Sequence, residues 1–225
     1  MSKRPMKGRA TLHQNVEEEL SHGDHAVVVL DDDPSILTGL NRLLTAHGYS
    51  LRLHAQAEDF FRAGLPSVPA CLVLDNQLGD GMTGVQVHEE LLRRGWFIPT
   101  VFLTAHWNVQ LVVDVMRAGA DDFLTKPFDP AELVNSVALA LKRSHAKQQK
   151  DIRVAGARAR VATLTPRELD IVRLVVTGML NKEIAEQLDL ALITVKVHRG
   201  HAMHKLGAGN PAELVHIAEL AGINS

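Results

Sequence analysis

The sequence predicts a five-stranded, doubly wound parallel sheet followed by a small all-α domain, and three observations carry that prediction. Short apolar runs at 26–30, 51–54, 71–74, 100–103 and 122–125 alternate with stretches of helical periodicity, the pattern of βα units in a buried parallel sheet. A polar residue stands at or just after the end of four of these runs: the pair Asp31-Asp32, then Asp75, Thr104 and Lys126. From Thr163 onward the periodicity is helical only.

Taken in order, Ala26-Val-Val-Val-Leu30 is a strand, and 35–47 is a helix with Ile36, Leu37, Leu40, Leu43 and Leu44 on one face, ended by Gly48. A short strand at 51–54 and a helix at 58–63 follow, then the strand Cys71–Leu74, a loop holding Gly79, Gly81 and Gly84, and a helix over 85–94. The fourth strand leads into a helix beginning near Asn108. The fifth leads through Pro127 into a helix over 130–141. Lys142, Arg143, Lys147, Lys150, Arg153, Arg158 and Arg160 then mark a basic linker over 146–163, into which the preceding helix can continue through Gln149, with Gly156 predicting a break before the second domain. Thr165-Pro-Arg-Glu168 is a capping box with proline at the first helical position. Another helix starts at Asn181.

Composition bounds what this architecture can do. Twenty-four Lys and Arg against 26 Asp and Glu give a formal charge of −2, so any contact with nucleic acid is local rather than a whole-chain field. The single cysteine, Cys71, sits in an apolar strand and reads as a core thiol, which fits a reducing cytoplasm. Residues 1–24 carry Lys3, Arg4, Lys7 and Arg9, then reverse charge at Glu17-Glu18-Glu19 without an apolar stretch. They read as a disordered tail, not a signal peptide. No run of 18 apolar residues is present, so no membrane span is expected.

In an open α/β sheet the strand ends converge on a crevice where strand order reverses, so Asp31, Asp32, Asp75, Thr104 and Lys126 should share one pocket. Three carboxylates together need a cation, and an all-oxygen set suits Mg²⁺. Lys126 offers a positive charge and Thr104 a hydroxyl to phosphoryl oxygens, which makes the pocket a phosphoryl-transfer site with Asp75 as its nucleophile. Singly, each signal has a plainer meaning. Asp31-Asp-Asp-Pro-Ser35 alone is an acidic turn and helix cap, Asp75-Asn76 a turn, and Lys126-Pro127 a solvated lysine. Their recurrence at successive strand ends is what argues for a site.

Val-Val-Leu-Asp31-Asp-Asp-Pro, Cys-Leu-Val-Leu-Asp75, Val-Phe-Leu-Thr104-Ala and Gly119-Ala-Asp-Asp-Phe-Leu-Thr-Lys126-Pro-Phe resemble the receiver domain of two-component response regulators over residues 25–145. The resemblance implies a flavodoxin-like fold and phosphorylation of Asp75 by a sensor histidine kinase. It implies Mg²⁺ held by Asp31, Asp32, Asp75 and the Gln77 carbonyl, and a phosphoryl group bound by Thr104 and Lys126. It further implies a cis Lys126-Pro127 bond and an aromatic switch at Phe123, a residue that core packing would explain equally well. Gln77 and His106 take positions that flank the attacking water in this family, and are expected to set phosphate lifetime. The loop after Asp75 departs from the family's Pro-Gly-Met-Ser-Gly, being one residue longer and lacking the proline.

Asn181-Lys-Glu-Ile-Ala-Glu-Gln-Leu188, a turn, and Thr194-Val-Lys-Val-His-Arg199 resemble the helix-turn-helix of LuxR-type DNA-binding domains, over 164–225. By that resemblance Lys196 and Val197 contact bases, while Thr194, Arg199, Lys182 and Lys205 contact phosphates of double-stranded DNA. Ala191 replaces a capping Ser or Thr, Leu192 and Ile193 replace polar residues, and Gly200 sits inside the recognition helix. His198, His201 and His204 recur every three residues but lack further ligands for a metal site.

Together these parts predict a NarL/FixJ-type transcription regulator that dimerises when phosphorylated, through the fourth and fifth receiver helices or the last helix of the chain. An aspartate-nucleophile phosphohydrolase is disfavoured because its motif has a second Asp where this chain has Gln77. The remaining alternative is a phosphorylation-independent regulator or protein-binding module of the same fold, for which Leu192 and Ile193 are the best support.

Overall fold

The computed structural model describes residues 25–79, 81–105 and 109–223, which form two compact units, one ending at Lys147 and one beginning at Gln148. The strands are β1 (Ala26–Leu30), β2 (Ser50–His54), β3 (Ala70–Asp75), β4 (Thr100–Thr104) and β5 (Asp122–Thr125). They alternate with α1 (Pro34–Ala46), α2 (Ala57–Ala63), α3 (Gly84–Arg93), α4 (Val109–Arg117) and α5 (Pro130–Val161). Every pairing is parallel and the order is β2-β1-β3-β4-β5. That is the doubly wound sheet expected, with its order reversing between β1 and β3.

Alternation along each strand sends side chains to two separate cores. Val28, Leu30, Leu72, Leu74 and Phe102 pack with Phe60, Val87, Leu91 and Val115 from α2, α3 and α4. Val27, Val29, Cys71, Val73, Val101 and Leu103 pack with Leu40, Leu44, Leu133, Val137 and Leu141 from α1 and α5. Helices on both faces explain why β1, β3 and β4 are buried throughout, whereas the edge strand β2 is largely exposed. Burial pushes the Cys71 thiol pKa far up, which keeps it an inert core group. The Asp33 carboxylate accepts the Ser35 N–H at 2.8 Å to start α1. Gly48, at φ 81°, follows its end.

The largest departure from expectation is α5. It runs unbroken for 32 residues, across Gly156 and most of the basic stretch read as a linker. Gly156 is exposed and a Cβ there would meet nothing within 4 Å, so its cost is only the helix propensity of glycine, about 1 kcal/mol. Neighbours rich in Ala, Arg, Lys and Gln favour the helix, and Ala157 is fully buried in the core of the second unit with Val161 beside it. Part of the basic run is also engaged locally, Arg143 with Asp121 and Lys147 5.7 Å from the Phe97 ring centroid.

The second unit adds α6 (Pro166–Val176), α7 (Asn181–Gln187), α8 (Leu192–Leu206) and α9 (Pro211–Ala221). Ile171, Val172, Ile184, Val195, Ala202, Leu206, Leu214 and Ala218 form its core. The Thr165–Glu168 capping box opens α6 as the sequence indicates, with Pro166 in the first turn. Among the described residues no helix is long and apolar enough to cross a membrane.

Candidate functional site

The reversal of strand order brings β1 and β3 side by side, so Asp31, just beyond β1, and Asp75, the last residue of β3, become neighbours. Thr104 ends the next strand and Lys126 follows the last one. Carboxylate oxygens of Asp31, Asp32 and Asp75 lie within 4.8 Å of one another. Lys126 bridges the pocket, its Nζ donating to Asp31 Oδ2 at 2.6 Å and lying 3.1 Å from Asp75 Oδ2. The backbone reinforces this convergence: Asp33 N–H donates to Asp31 Oδ1 at 3.0 Å, and Lys126 N–H to the Thr104 carbonyl at 2.8 Å. The Lys126-Pro127 bond is cis.

Asp31, Asp75 and Thr104 are buried, while Asp32 and Gln77 are exposed at the mouth. Burial pushes the Asp75 carboxyl above the ordinary carboxylate range; Lys126 opposes that shift and the Asp31 charge adds to it. Burial also works against the Lys126 charge, but its hydrogen bond to Asp31 and the charges of Asp75 and Asp31 prevail and hold it above an ordinary lysine. Asp75 Oδ1 is buried without a hydrogen-bond partner. Such an acceptor is costly unless a ligand completes it, and an all-oxygen donor set around it fits a hard divalent cation.

Gly84 is a residue that sequence reading undervalued. A Cβ there would stand 2.4 Å from the Asp75 carbonyl oxygen and 2.8 Å from Asn76 Cα, so α3 starts directly beneath the pocket only because position 84 is glycine. Its N–H donates to the Asn76 carbonyl at 2.9 Å and closes the loop after β3. Thr83 and Gln86 form a capping box at the same place. The Thr-x-x-Gln spacing was a usable signal for that helix start. Phe123 is half-buried against the core on β5, and His106 lies outside the described residues.

In the second unit, the α7–turn–α8 pair brings the other candidate residues together. Lys182, Lys196 and Val197 are exposed, Thr194 is half-buried, and Ala191 begins α8 without a side-chain cap. Two cations are already engaged. Arg199 Nη1 donates to Asn181 Oδ1 at 2.5 Å, tying α8 to the start of α7, and Lys205 Nζ donates to the buried Glu168 carboxylate at 2.6 Å. The Lys205 ammonium beside it, with the Thr165 N–H, holds Glu168 down to about 2. Among the described residues His198, His201 and His204 form no metal-binding cluster; the acidic pocket is the one such group.

Comparison with known proteins agrees with both halves. The family described as "Response regulator receiver domain" matches residues 27–138, and "Bacterial regulatory proteins, luxR family" matches 162–218. Nodulation protein W of Bradyrhizobium diazoefficiens is 37% identical over 199 residues, 88% of this chain and 87% of that protein. The transcriptional regulatory protein FixJ of Azorhizobium caulinodans is 36% identical over 197 residues, 88% and 93% of the two chains. Among solved structures, the response regulator StyR matches with a TM-score of 0.78 and 36% identity, over 88% of this chain and 99% of that one. A receiver sheet with an acidic strand-end pocket, joined to a LuxR-type helix-turn-helix and related along most of its length to such regulators, makes this chain a member of the NarL/FixJ-type transcriptional response regulators.

Proposed function

We propose that this chain acts in the cytoplasm, that Asp75 accepts a phosphoryl group from the phosphohistidine of a sensor histidine kinase, and that this acceptance controls dimerisation and DNA binding. The observation that supports it most is the pocket itself: a buried carboxylate with one unpartnered oxygen, bridged by Lys126 to a second acid. An Asp75 oxygen forms the new P–O bond as the kinase P–N bond breaks, and the imidazole nitrogen keeps the electron pair. Asp31, Asp32, Asp75 and the Gln77 carbonyl would hold Mg²⁺, whose chemistry when bound is to neutralise charge on the phosphoryl oxygens. Lys126 then turns from Asp75 to the phosphoryl group, and the Thr104 hydroxyl donates to it. Movement of Thr104 gives Phe123 room to turn inward, biasing a two-state element at the far side of the domain.

The output is carried by α8, with Lys196 and Val197 toward base edges and Lys182, Thr194, Arg199 and Lys205 toward phosphates. Arg199 and Lys205, engaged with Asn181 and Glu168, hold the helices in the geometry that presents them. Dimerisation through α4 and the receiver part of α5, or through α9, would place two such helices on adjacent half-sites. Incubation with a labelled phosphodonor tests the acceptor: wild-type protein takes up acid-labile label and Asp75→Asn does not. Label retained by Asp75→Asn on the receiver would refute the assignment. A mobility shift at stated salt, with and without phosphodonor, tests the coupling to DNA.

A further inference from the structure

The outward face of α8 is more apolar than phosphate binding requires. Val195, Ala202 and Leu206 make its buried side. Two residues back from Val195 turns the helix by about 200°, so Ile193 points away from the core. Lys196, Val197 and Gly200 follow it at i+3, i+4 and i+7 and complete one stripe. Ile193 is 68% exposed, Val197 47% and the adjoining Leu192 42%. Single exposed apolar residues are ordinary; a stripe of them on the helix that meets DNA is not. At Gly200 a Cβ would meet nothing within 4 Å, so the missing side chain leaves the outward path of the helix open.

We infer that Ile193 adds to the base contacts expected of Lys196 and Val197 by reading the 5-methyl group of a thymine in the major groove. The inference rests on α8 being the recognition helix and goes beyond it by naming the group recognised. Residues in the N-terminal part of such a helix reach base edges, and the thymine methyl is the apolar group the major groove displays. Lys196 is the one cation on this stripe, so apolar contact by Ile193 and Val197 takes the larger share of it.

The test uses the full chain with Mg²⁺ and acetyl phosphate, selecting duplexes from a randomised pool and then replacing each thymine of the selected site by deoxyuridine. Wild-type protein should lose about threefold to fourfold in affinity per recognised methyl removed, the worth of burying one such group. Ile193→Ser, an exposed change that leaves the core intact, should bind the thymine and uracil duplexes alike at one of those positions. Equal binding of both duplexes by wild-type protein overturns the inference while leaving DNA binding in place. Enrichment of no duplex at all overturns the underlying assignment of α8. Unchanged discrimination by Ile193→Ser, with transcription by RNA polymerase reduced, would give this face to a protein partner and also overturn the proposal.

Discussion

At the scale of single residues, the pocket depends on one cation and one missing methyl. Lys126 touches both Asp31 and Asp75, so Lys126→Met would leave two buried carboxylates without their counter-charge. Gly84→Ala would force a Cβ against the Asp75 backbone, and it should destabilise the receiver by about 2 kcal/mol or more. Gly39→Ala, exposed within α1 and open around its Cβ, should instead stabilise it by about 0.5–1 kcal/mol. Thermal unfolding of the receiver transition in the two variants measures the contrast; equal shifts would refute it. The meeting of Asp31, Asp32, Asp75 and Lys126 was legible because each stands at or just after the end of an apolar run, a pattern tied to the architecture of the sheet. Gly84 was not, because a glycine in a glycine-rich loop carries no sign of which neighbour its missing side chain would strike. Nor was the engagement of Lys205 with Glu168, 37 residues away, since long-range pairing leaves no local trace.

At the scale of elements, helix starts were read well where side chains cap them, and poorly where only tertiary packing decides. Asp33-Pro34 and Thr165-Pro166 mark α1 and α6 by chemistry visible in a few residues. The end of α5 had no such mark, and Gly156 suggested a break that burial of Ala157 overrides. Because that glycine spans ordinary helix with open space beside it, Gly156→Ala should raise the stability of α5 by about 1 kcal/mol, seen as a higher melting temperature with no loss of helical signal. Ala191 is the reverse case, a helix start without a cap. Ala191→Ser should accept an orphan N–H of α8 and stabilise the C-terminal unit by about 1 kcal/mol. A calorimetric scan resolves that shift from the receiver transition.

For the molecule as a whole, acid should reach the two units differently. Glu168 titrates near 4.5 when unfolded and about 2 when folded, so its pairing with Lys205 and Thr165 stabilises the C-terminal unit fully above the unfolded value. That contribution fades as pH falls from about 4.5 toward 2, and Glu168→Gln should flatten the acid limb of this unit's unfolding without flattening the receiver's. Equal acid slopes in the variant and wild type would contradict the assignment. The two-unit organisation was legible in the change of periodicity after 163, but the place of their junction was not, because the sequence marks it with charge while the fold marks it with burial. Helix α5 lends Leu133, Val137 and Leu141 to one core and Ala157 to the other, and Ser144 accepts the Ala70 N–H while Arg160 donates to the Leu206 carbonyl. The family matches stop at 138 and resume at 162, so cuts made there would remove parts of both cores. A hybrid that exchanges output domains between relatives must therefore be spliced inside the helix, between Ser144 and Ala157, so that each core keeps its own part of it.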